Sequence, residues 1–164
     1  MSVAPEDASL HVQGNLAITY QRLGRLEEAL QMKRDVYSGR LKLLGEKHEE
    51  TLRAANNYAK SLISIKRFEE AKALLRKTVP VARRVLGDGK DLTLKMRWNY
   101  ARALYYDAGA TLDDLREAET TLVETERTAR RILGSAHPLV DTVEQGMRDF
   151  RELRAIHELR ASMK

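Results

Sequence analysis

Arg67-Phe68-Glu69-Glu70-Ala71 decides the fold, because nearly the same phrase stands 42 residues earlier as Arg25-Leu26-Glu27-Glu28-Ala29. A weaker third copy is Asp114-Leu115-Arg116-Glu117-Ala118. Two further landmarks keep one register with it. Asn15-Leu16-Ala17 returns as Asn57-Tyr58-Ala59 and Asn99-Tyr100-Ala101, and Leu44-Gly45 returns as Leu86-Gly87 and Leu133-Gly134. The last interval is 47 rather than 42, so about five residues, Gly109 to Asp113, are inserted in the third unit. A fixed period of this length marks a stacked array in which each unit buries its apolar face against its neighbours.

Each unit reads as two helices. Leu52, Ala55, Ala59 and Leu62 follow helical spacing, as do Leu94, Ala101 and Leu104, and in the first unit Leu16, Ala17, Tyr20 and Leu23. After a break at Leu23-Gly24-Arg25 or Ile65-Lys66-Arg67, a second helix carries Ala29, Met32, Val36 and Leu43, or Ala71, Leu74, Leu75, Val79 and Leu86. It stops at Leu-Gly, where glycine takes the left-handed conformation of a helix C-cap. Pro80 falls inside a second helix and is expected to kink it. Pro138 opens a final helix whose apolar stripe is Leu139, Val143, Met147, Phe150 and Leu153. The expected architecture is all-α: a right-handed α-solenoid of about three helix-turn-helix repeats, seven helices in all. The units span about 8–45, 46–87 and 88–134, with the insert at 109–113 and a capping helix at about 138–161.

Composition agrees. Charged residues make up 32% and aromatics 5% of the 164 residues, with three prolines, which favours helix over sheet and excludes collagenous or linker-like chains. No apolar run reaches the roughly 20 residues of a membrane span, and the first ten residues lack the marks of a secretory signal. A cytoplasmic location is the expectation. The absence of cysteine removes disulfides, thiol catalysis and Cys-ligated zinc. The four histidines show no metal-site spacing, and neither a phosphate loop nor a nucleophile elbow is present. No cofactor, metal or catalytic centre is expected.

An Asn-x-Ala first helix, an Arg-x-Glu-Glu-Ala second-helix start and a Leu-Gly stop resemble the tetratricopeptide repeat. The 42-residue period, longer than the ordinary 34, resembles the kinesin light chain type in particular. That type carries Leu-Gly-x-x-His-Pro between units, present here as Leu133-Gly134-Ser135-Ala136-His137-Pro138 and partly as Leu44-Gly45-Glu46-Lys47-His48-Glu49. The middle copy has Lys90-Asp91 instead, and no heptad run precedes the repeats, so a free-standing relative or a fragment is expected rather than a motor subunit. The resemblance implies an adaptor whose first helices line a concave groove, with Asn15, Asn57 and Asn99 contacting a ligand backbone.

Placed on that groove, the register gives His11, Asn15, Ile18 and Arg22; Arg53, Asn57, Lys60 and Ser64; and Lys95, Asn99, Arg102 and Tyr106, with Trp98 and Tyr105 beside them. The stripe holds five Lys or Arg and no acid. Asparagine both donates to and accepts from a peptide backbone, cations attract carboxylates, and aromatics anchor one side chain. The same residues equally suit a structural role, the asparagines bonding a neighbouring turn and Trp98 packing on the next helix. The net charge of +5 fits an extended acidic peptide, and also RNA or another polyanion. Self-association, or a place as a subunit in a larger assembly, is the third expectation.

Overall fold

The computed structural model describes residues 5–163. Among them are seven helices: α1 (Pro5–Arg22), α2 (Leu26–Leu44), α3 (Glu49–Ser64), α4 (Phe68–Leu86), α5 (Asp91–Tyr105), α6 (Leu112–Leu133) and α7 (Pro138–Ser162). Successive helices pack as antiparallel neighbours. In addition α5 lies against both α3 and α7, which makes α3, α5 and α7 an inner row with α4 and α6 behind them. The alanines of the repeated phrases are all buried: Ala17, Ala59 and Ala101 of the first helices, and Ala29, Ala71 and Ala118 of the second. Around them Leu52, Leu75, Leu94, Leu104, Leu122 and Val143 fill the core.

The punctuation of the helices follows from single residues. His48 and His137 cap α3 and α7, each Nδ1 accepting a backbone N–H two residues on at 3.2 Å. Thr111 and Asp114 form a reciprocal capping box at the start of α6. Gly45, Gly87 and Gly134 end α2, α4 and α6 with φ of 81°, 91° and 85°. Their ψ values of 170°, 157° and 156° lie beyond the left-handed helical region expected from the sequence, in a mirror-extended conformation open essentially to glycine alone. Pro80 does not interrupt α4, which runs as one helix across it. The insert lengthens the turn between α5 and α6 and runs into the first turn of α6, and buried Lys72 of α4 reaches that turn at Asp107, 3.4 Å away.

The first unit departs from the pattern. Helix α1 packs on α2 but makes no close approach to α3. Leu16 and Leu23, expected in its core stripe, are exposed, and so is Leu43 on α2. A cleft therefore opens between α1 and α3, where the later units have a closed seam.

Candidate functional site

Two cavities run along the inner row. One, of about 530 Å³, lies between α3, α5 and the start of α7, and the other, of about 470 Å³, is the α1–α3 cleft. Asn57 and Lys60 line both, so α3 forms the wall they share. The first cavity collects Arg53, Lys95, Trp98, Asn99 and Arg102 of the expected set, and the second collects Arg22. Asn15 stands at a smaller recess of about 150 Å³ with His11, Arg53 and Asn57.

Three of the expected residues behave differently from the reading of the stripe. Asn99 is 2% exposed, and its Nδ2 donates to Oδ1 of Asn56 at 2.8 Å, a bond that ties α5 to α3. Tyr105 is fully buried, edge-on to Phe150 with ring centroids 5.7 Å apart, and belongs to the core rather than to an aromatic pocket. Tyr106 donates its hydroxyl proton to Asp149 of α7 at 3.2 Å. The aromatic feature that remains is Arg102, whose guanidinium lies 5.8 Å from the Trp98 ring and 5.6 Å from that of Tyr106.

The charge pattern is also finer than an acid-free stripe. Acids one helical turn away fold back on it: Arg53 pairs with Glu49 at 2.8 Å and Glu50 at 3.1 Å, and Lys95 pairs with Asp91 at 2.7 Å. Arg22, Lys60 and Arg102 have no carboxylate partner among the described residues. They are the uncompensated charge of the expected stripe.

One charged residue at the cleft escaped the sequence reading because it lies on a second helix. Lys33 of α2 is 8% exposed and reaches the cleft floor between Gln21 and Ser61. Burial, with Lys60 nearby, pulls its ammonium down from the ordinary lysine range to about 8. Asn56 was missed as well, because its role depends on which way α5 turns Asn99.

No helix among the described residues is long and apolar enough to cross a membrane. Residues 7–84 match the family model described as tetratricopeptide repeat. No curated protein matches the chain. Among solved structures, the putative kinesin light chain TPR-like repeats of Podosopora anserina are 21% identical over 93% of this chain and 70% of their own, with a TM-score of 0.80. A single-substitution form of the same repeats gives the same identity and coverage with a TM-score of 0.81. BtubC (BKLC) from P. vanneervenii is 16% identical over 99% of this chain and 67% of its own, with a TM-score of 0.70. At these identities the likeness is one of fold.

Proposed function

We propose that this chain, whose residues 7–84 match the tetratricopeptide repeat model and whose fold is like that of kinesin light chain-type repeats, is a non-enzymatic adaptor holding an extended acidic peptide along its inner row. Repeats of this kind make protein–protein interaction scaffolds; the acidic ligand and its place are the finer step. The observation that carries that step is the trio Arg22, Lys60 and Arg102, left without carboxylates in a groove that neutralises Arg53 and Lys95 from within. Cations so placed raise the encounter rate with an acidic segment and form charge-assisted bonds to it. Asn15 and Asn57, both exposed, are available to a ligand backbone. Trp98, half-buried beside Arg102, offers a face for one apolar or aromatic side chain.

Binding of a fluorescent octaglutamate peptide, with a single-stranded RNA of matched charge in parallel, tests this reading. The double reversal Lys60→Glu with Arg102→Glu should weaken octaglutamate at least tenfold while the circular dichroism spectrum keeps its helical form. Unchanged affinity in that variant rejects the groove. Tighter binding of the RNA, with a steep loss on adding salt, transfers the groove to a polyanion function instead.

A further inference from the structure

Lys33, Arg40, Lys72 and Arg97 are the buried cations of the described residues. Arg40 has Glu50 at 2.6 Å, Lys72 has Glu69 at 2.5 Å, and Arg97 has Glu124 at 2.9 Å. Lys33 alone among them has no carboxylate. Its Nζ donates to Oε1 of Gln21 and to Oγ of Ser61, the latter at 2.8 Å, and both acceptors are neutral.

The register sharpens the anomaly. Counting from the repeated alanines Ala29, Ala71 and Ala118, the fourth residue on is Lys33 in the first unit, Leu75 in the second and Leu122 in the third. Leu75 and Leu122 are core residues, at 0% and 1% exposure. An array that fills this slot with leucine twice puts an ammonium there once, in the unit whose first helix stands off from the next. Burying a cation without an opposite charge is costly in a site of low polarity. Packing therefore gives no reason for the lysine.

The surroundings supply one. Lys33 lines the cleft of about 470 Å³ together with Gln21 and Arg22 of α1 and Lys60 of α3. With the amide of Asn57 on α3 these are the charged and amide groups that face it, and no acid among the described residues lines the cleft. Gln21 spends its carbonyl oxygen on Lys33, which leaves its amide hydrogens to donate. An ammonium with a donor to spare, an amide and two flanking cations form a receptor for a planar anion with two oxygens. We propose that the α1–α3 cleft is a carboxylate-binding site, with Lys33 at its floor and Arg22 and Lys60 at its rim, that takes one Asp or Glu side chain of a bound peptide. The proposal rests on the peptide reading above for its ligand, and on Lys33 for its place.

The test sets Lys33→Leu, which restores the residue of the other two units, beside Lys33→Arg. In the full chain Lys33→Leu should melt higher than the wild type yet bind octaglutamate at least tenfold more weakly, whereas Lys33→Arg should keep most of the affinity. Glutarate titrated against protein carrying 13C-labelled lysine should shift the Lys33 Cε resonance saturably, with phosphate at equal ionic strength moving it less. Wild-type affinity in Lys33→Leu overturns the proposal while leaving the groove standing. A lower melting point for Lys33→Leu with unchanged affinity overturns it too, since Lys33 is then a packing residue. An equal response to phosphate replaces the carboxylate site by a general anion site. A saturable glutarate shift in a protein that ignores octaglutamate supports the cleft and rejects the peptide reading.

Discussion

Asn99 donates to Asn56 across 2.8 Å, from the inner helix of one unit to that of the unit before it. The same pair of repeat positions recurs at the two other seams, with different residues. At the next seam it is Gly146 of α7 against Trp98 of α5, so close that a β-carbon on Gly146 would come within 1.8 Å of the ring. At the seam before, it would be Asn57 against Gly14, but Gly14 has no side chain to offer and α1 stays away from α3. One position pair thus gives a buried amide bond, a ring on a glycine, and an open cleft.

Removing the amide pair separates the structural asparagine from the exposed ones. Asn99→Ala should lower stability by about 1–2 kcal/mol in urea unfolding, because it leaves the Asn56 oxygen buried without its donor. Asn57→Ala and Asn15→Ala, on exposed sites, should change stability by less than about 0.5 kcal/mol. A double-mutant cycle between Asn56 and Asn99 should show a coupling near the full Asn99→Ala loss. Coupling near zero would mean the bond contributes nothing to the seam.

The glycines of the same pair should respond with opposite sign. Gly146→Ala must displace Trp98 or shift α7, at a cost of about 1–3 kcal/mol. In Gly14→Ala the added methyl meets nothing within 4 Å and sits inside a helix, so it should stabilise by up to about 1 kcal/mol. Thermal midpoints and Trp98 fluorescence measure both. Equal signs would contradict the seam geometry.

The period, the helix pairs and the terminal helix were legible because each is local: a repeated phrase, a helical stripe, a Leu-Gly stop. Even the His48 and His137 turns were readable by register, although their capping bonds were not. The site was legible only as positions on a face. What the stripe left out is the partner each side chain finds across a seam. Asn57 and Asn99 share one repeat position, yet one is exposed and the other 2% exposed, and the difference lies in Gly14 and Asn56 on the preceding helices. Glu49, Glu50 and Asp91, one turn off the stripe, reach back to it through flexible side chains. Lys33 carries a signal that register alone contains, a charge in a leucine slot, but only a comparison of second helices exposes it.

Lys66 occupies the turn position that Gly24 fills in the first unit, and it takes the same left-handed backbone, with φ of 62° against 76°. A side chain there is strained by roughly 1 kcal/mol. Lys66→Gly should therefore gain up to about 1 kcal/mol, less the greater freedom glycine has in the unfolded chain. The residue is exposed, so the thermal midpoint reports backbone strain with little lost packing. A fall in midpoint would show that the freedom glycine gains in the unfolded chain outweighs the strain relieved.

The ammonium of Lys33 makes the last prediction one of sign. Its midpoint is lowered in the folded state to about 8, first by burial and then by Lys60, whereas an unfolded lysine titrates near 10.5. Below pH 8 both states carry the proton, and the cost of burying the charge is present in full. Between about pH 8 and 10.5 the unfolded state binds more protons than the folded one, so stability contributed by this group rises with pH. The other lysines and the tyrosines are common to wild type and Lys33→Leu, so the difference between the two proteins isolates Lys33. Lys33→Leu should be the more stable by about 1–3 kcal/mol at pH 7, and its advantage should shrink steadily from pH 8 to pH 10.5. An advantage that stays constant over that window would mean that Lys33 titrates as an ordinary surface lysine and that its charge is not buried in solution.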